Sequence, residues 1–84
     1  MTSAELAALR NSLALTQADI GGCMGLSHRA YQDIEGGVSK VRSIHVAAAE
    51  RAALTLAVES GNPMLAPASV RRHALELARL ISGE

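Results

Sequence analysis

Four polar side chains in one short stretch, His28, Arg29, Gln32 and Asp33, carry the most specific chemistry in the chain. The Arg29 guanidinium presents paired donors that match the O6 and N7 acceptors on the major-groove edge of guanine, and the Gln32 amide matches adenine in the same way. Asp33 can accept from cytosine N4 or orient Arg29, and His28 adds hydrogen-bonding capacity. Other chemistries fit poorly. His28, His45 and His73 stand at no i, i+3 or i+4 spacing from another His or Cys, so no metal site is expected. Gly21-Gly22-Cys23-Met24-Gly25 has the look of a phosphate loop but lacks a preceding strand and the Gly-Lys-Ser/Thr ending. Ser, His and Asp occur at no spacing that suggests a catalytic triad. The expectation is a chain without enzymatic activity, cofactor or small-molecule ligand.

The elements that must position those side chains are helices. Thr2-Ser3-Ala4-Glu5 is a capping-box pattern, and Leu6, Leu9 and Leu13 after it share one helical face. Thr16-Gln17-Ala18-Asp19 is an acidic variant of the same box, followed by Ile20 and Met24 and closed by Gly25 in a left-handed conformation. Ser27 is the expected cap of a third helix with Tyr31 and Ile34 on its inner face, Ala30 alongside, and Glu35-Gly36-Gly37 at its end. Residues 40–43 read as a loop with Ser43 as the next cap. An alanine-rich helix is then predicted over 44–59, broken by Ser60-Gly61-Asn62-Pro63. Pro67 or Ser69 starts a fifth helix, whose stripe is Val70, Ala74, Leu77, Ala78 and Ile81. The predicted architecture is all-α, a single five-helix domain over 1–84, with a core in 1–60 and a C-terminal helix in 61–84.

Two short helices joined by a turn containing glycine describe a helix-turn-helix, whose second helix enters the DNA major groove. Ile20, Met24, Leu26, Tyr31 and Ile34 are apolar where the two helices must pack on each other. Gly21 is small where they cross closely. With Leu9-Arg10, Leu15-Thr16-Gln17, Gly25-Leu26-Ser27 and Ile34-Glu35-Gly36 in addition, the sequence resembles the phage-repressor and Cro family over roughly its first two-thirds. The resemblance implies a repressor-like domain that binds double-stranded DNA. It makes His28, Arg29, Gln32 and Asp33 the base-reading set. Gln17 would bond a phosphate through its side chain and the helix N-terminus, with Thr16 and Ser27 also on the phosphate side. Lys40 and Arg42 fall in the loop that usually contacts backbone phosphates, and Arg10 and Glu35 match a buried ion pair. A cytoplasmic regulator of the phage or mobile-element type is the implied setting.

Two positions depart from that pattern. Tyr31 stands where a branched aliphatic is usual, so its hydroxyl needs a partner or an exit to solvent. Gly21 and Gly22 inside a helix cost about 1 kcal/mol each relative to alanine.

Composition sets the remaining bounds. A chain of 84 residues builds a thin core, and Cys23, its single cysteine, excludes an intramolecular disulfide and suits a reducing compartment. No apolar run approaches a membrane span. Eight Lys and Arg balance eight Asp and Glu. If Glu35 is neutralised internally by Arg10, the DNA-facing surface sets Arg29, Lys40 and Arg42 against Asp33 alone. Arg71, Arg72 and Arg79 read as a solvated face. The last helix's stripe, with small residues such as Ala47, Ala48, Ala52 and Ala53 before it, exceeds what a monomer needs. The C-terminal third is therefore expected to form a homodimer interface, and the operator to be an inverted repeat. Two other readings fit the same residues: an antitoxin whose main partner is a toxin, or an interaction module that keeps the motif as a scaffold.

Overall fold

The first three helices each begin where a side-chain cap stands in the sequence. The computed structural model describes residues 1–83 and contains five α-helices, with no strand among the described residues. Helix α1 (Ser3–Ser12) opens on a full capping box. Thr2 accepts from the Glu5 N–H at 3.1 Å, and the Glu5 carboxylate accepts from the Thr2 N–H at 3.2 Å. Helix α2 (Gln17–Cys23) repeats the device with Thr16 and Asp19, at 3.1 and 3.4 Å. Ser27 caps α3 (His28–Glu35) by accepting from the Ala30 N–H.

The start of α4 (Ser43–Ser60) corrects the sequence reading. Ser43 lies inside the helix and Arg42 is the N-cap residue, with its N–H donated to His45 Nδ1 at 3.0 Å. A histidine ring thus fills the place that Glu or Gln takes in a capping box. Gly61, at φ +65°, ends α4, and a short 3-10 turn over Pro63–Leu65, capped by Asn62, leads into α5 (Ala68–Ser82). That turn has no counterpart in the sequence reading.

The loops on either side of α2 are built alike. The Leu15 N–H reaches back to the Arg10 carbonyl and the Ala14 N–H to that of Asn11. One helix later Leu26 bonds to Gly21 and Gly25 to Gly22. Both are Schellman closures with a left-handed residue one past the C-cap. Gly25 fills that place at φ +76°, as its sequence context predicts, while Ala14 fills the other at φ +55°, where a Cβ costs about 1–2 kcal/mol.

Leu6 and Leu13 from α1 and its end, Ile20 from α2, Tyr31 and Ile34 from α3, and Ala49 and Ala53 from α4 form the buried centre. The large side chains come from the first three helices. The fully buried members of α4 are alanines, which let its backbone lie close to the others. Helix α5 buries no residue, and beyond Arg71 every described position of it is exposed. The molecule is accordingly elongated, 46 × 23 × 19 Å. No described helix is long and apolar enough to cross a membrane.

Candidate nucleic-acid interface

Helices α2 and α3 pack closest at Gly21. A methyl group at Gly21 would lie 3.1 Å from Tyr31 Cβ, tighter than a side chain normally tolerates, and at an ordinary 3.6 Å from Cγ. Glycine at 21 therefore sets how near α3 comes. Gly22 faces open space, so its lack of a side chain serves no packing role. With Tyr31 and Ile34 turned into the core, helical periodicity leaves His28, Arg29 and Gln32 on the outer face, and all three are exposed. Asp33 is half-buried at the flank, with Oδ1 3.5 Å from Arg29 Nε one turn earlier. Arg29 itself keeps 86% of its side chain in solvent, so its donors stay open to a ligand.

Beneath this face lies the ion pair that anchors α3. Arg10 Nε donates to both Glu35 oxygens at 3.2 and 3.0 Å, and its Nη2 donates to Oε1 at 2.8 Å. Arg10 Nη1 adds a bond to the Leu15 carbonyl at 3.1 Å. One guanidinium thus ties the end of α1, the approach to α2 and the end of α3. The side chains retain only 18% and 8% exposure. Hydrogen bonding from Arg10 holds the Glu35 carboxyl below its ordinary range against the opposing effect of burial, and the same contact raises Arg10.

Tyr31 points its hydroxyl toward this pair, out of solvent, near enough for the Glu35 carboxylate to act on it but without a hydrogen bond of regular geometry. Burial, reinforced by the Glu35 charge, pushes its ionisation well above the ordinary value, so it stays neutral. The sequence reading requires a partner or an exit for this hydroxyl; the structure gives no exit and offers only the neighbouring Glu35 carboxylate, without a hydrogen bond of regular geometry.

The phosphate-side residues fall into two groups. Thr16, Gln17 and Ser27 flank the outer face at the starts of α2 and α3, and Gln32 Nε2 donates to Gln17 Oε1 at 3.4 Å, linking the base-reading set to this first group. The Thr16 and Ser27 hydroxyl oxygens already accept cap bonds, which leaves each O–H free to donate. Lys40 and Arg42 line a shallow cleft along α3 with Ala30, Asp33 and His45. The Ser39 N–H, bonded to the Asp33 carbonyl at 3.0 Å, pins that loop to α3.

One contact and one charge were missed from sequence. His45 fixes the Arg42 backbone, and the only signal for it is its place three residues after the cap. Asp19 is exposed beside Thr16, so the surface sets three cations against two carboxylates and is less basic than the expected three against one.

Comparison of the chain with protein-family models, curated proteins and solved structures returns no match, so the reading of this face rests on its geometry and residue types.

Proposed function

We propose that the chain is a sequence-specific, double-stranded DNA-binding regulator of transcription, acting in the cytoplasm as a homodimeric repressor on an inverted-repeat operator. One observation carries the reading. A capped two-turn helix, fixed from beneath by the Arg10–Glu35 pair, turns guanidinium and amide groups outward while its inner face is locked by Tyr31 and Ile34. A helix held that way brings hydrogen-bonding groups to a groove in a set orientation, which base readout requires.

In this reading Arg29 donates to guanine, Gln32 reads adenine, and His28 and Asp33 complete the set. Thr16, Gln17, Ser27, Lys40 and Arg42 hold phosphates. A dimer sets two α3 helices into successive major grooves about 34–36 Å apart and represses by occupying a promoter. With so balanced a surface, affinity falls only gently with salt.

The test is selection of bound sites from random duplex DNA by the purified protein near physiological salt. Recovery of one inverted repeat is the expected result. A folded, soluble protein that enriches no sequence would refute the reading and favour a protein partner for the exposed apolar face of α5.

A further inference from the structure

Helix α5 raises a physical question that DNA binding does not answer. Its 15 residues bury nothing, yet Leu75, Leu77, Leu80 and Ile81 stand 54–77% exposed along it. Only its first turn is tied down, by Ser69 Oγ donating to Glu50 Oε2 and by Arg71 Nη1 donating to the Ala66 carbonyl. The rest projects into solvent. A helix of this length is marginal in water by itself, because propagation barely offsets nucleation below about 12–15 residues. Left uncovered, it should fray.

The surface that needs covering is continuous with α4. An open apolar cleft of about 470 Å³ runs between Leu54, Ala57 and Val58 of α4 and Ala74 and Leu75 of α5. A second, of about 320 Å³, extends it from Leu54 along Val70, Leu77 and Ile81. Val58, at 74% exposed, stands on the α4 wall of the first cleft. At about 100 Å² of apolar area per fully exposed large aliphatic side chain, Val58, Leu75, Leu77 and Ile81, the exposed large side chains that line these clefts, offer roughly 260 Å². A standard interface takes about 800 Å² per partner, of which about 56–65% is apolar. One copy therefore supplies about half of the roughly 450–520 Å² of apolar area on one side of a standard interface, the scale of a small, concentration-dependent contact, and a twofold axis uses the same patch on both sides.

We propose that a second copy of this chain lays its α5 into the cleft between α4 and α5, and that this contact, made reciprocally, completes the folding of α5 in both copies. The inference rests on the regulator reading for its dimer, and deepens it by naming the surface and coupling dimerisation to the folding of one helix. Assembly then sets a concentration threshold, below which single copies with a frayed α5 remain.

The test uses no DNA. Sedimentation and far-ultraviolet circular dichroism are recorded on the full chain over about 1–100 μM, the range in which moderate dimers dissociate. The expected result is a monomer–dimer equilibrium in which helical signal falls on dilution in step with dissociation, by no more than the 15 residues of α5. Leu77→Lys with Ile81→Lys should raise the dissociation constant at least about 100-fold, since each buried aliphatic contributes on the order of tenfold or more. The variant should keep the main cooperative unfolding transition. Val58→Lys, on the opposite wall and already exposed, tests the cleft without touching α5 and should weaken the dimer in the same direction. A monomer at about 100 μM overturns the inference. So does a dimer indifferent to both variants, or helical signal that does not change as the dimer dissociates. A dimer that behaves as expected but selects no DNA sequence leaves the inference standing and removes the regulator reading.

Discussion

Replacing Arg10 with alanine should destabilise the domain by about 2–4 kcal/mol, far more than loss of an ordinary surface ion pair. Removing one partner from a buried pair costs about 3–5 kcal/mol, because the other charge is left without compensation, whereas exposed pairs are worth about 0–1 kcal/mol. Arg10 and Glu35, at 18% and 8% exposure and with two-pronged contact, lie toward the buried end. Loss of the bond from Arg10 to the Leu15 carbonyl adds about 1 kcal/mol, and residual solvent around the guanidinium takes some back. Glu35→Gln keeps the shape and one acceptor, so it should cost less, about 1–2 kcal/mol. Arg10→Met with Glu35→Leu removes both charges and should cost less than Arg10→Ala alone. Denaturant unfolding read by circular dichroism gives each value, and the double-mutant cycle gives the coupling.

The same pair fixes a pH dependence. Glu35 has a depressed ionisation in the folded state, chiefly from its hydrogen bonds to Arg10. Its contribution to stability is thus complete above its unfolded value, near 4.5, and is lost as pH falls through the lower folded value. Without Arg10 the buried carboxyl no longer has its compensating partner, so Arg10→Ala should begin acid unfolding at higher pH than the parent. A loss below about 0.5 kcal/mol with an unchanged acid limb would refute the assignment of a structural pair.

Three other predictions concern neighbouring positions. Gly22→Ala should stabilise α2 by about 1 kcal/mol, since a methyl there meets nothing, whereas Gly21→Ala presses on Tyr31 and should destabilise by about 1–2 kcal/mol after the same helix gain; thermal melts of the two variants should move in opposite directions. Tyr31→Phe removes a buried hydroxyl without a hydrogen bond of regular geometry and should be neutral or stabilise by up to about 1 kcal/mol in urea unfolding, and a loss above about 1 kcal/mol would show that the hydroxyl is satisfied. On a selected operator, Arg29→Ala should cost about 1–3 kcal/mol and relax preference at one base pair, while Lys40→Ala should weaken all sequences alike and lower the salt slope by about 1.

Most of the helical frame was legible because its punctuation is local. Thr2, Thr16, Ser27, Gly25 and Gly61 act within four residues of themselves, and a sequence displays such relations directly. The misses are of two kinds. Ala14 in the left-handed region and His45 as a capping acceptor use unusual residues for ordinary roles, so a reading by residue type passes over them. For Tyr31 and Asp19 the sequence places the one in the core and the other in a cap, as found, but neither the surroundings of a buried hydroxyl nor proximity of a charge to the outer face is written in spacing. The Arg10–Glu35 pair spans 25 residues. Periodicity carries no trace of so distant a pairing, and only the resemblance to a known helix-turn-helix family pointed to it.

The distribution of large side chains suggests why one small chain would divide its labour as proposed. Leu6, Ile20 and Tyr31, the largest fully buried residues, all lie in the first three helices, so the stiffest part of the molecule is the part that would hold α3 against a groove. Helix α4 adds alanines that bring its backbone close but little volume, and α5 adds none. Groove readout gains from rigidity, because a loosely held side chain gives up ordering entropy with each base contact. Dimerisation tolerates the opposite, since a marginal helix can fold as its partner arrives. Stability placed in the N-terminal helices and withheld from α5 would give a reader whose geometry is independent of concentration and whose assembly is not. Strengthening α5 in the monomer should then lower the concentration threshold for assembly without altering which half-site is preferred.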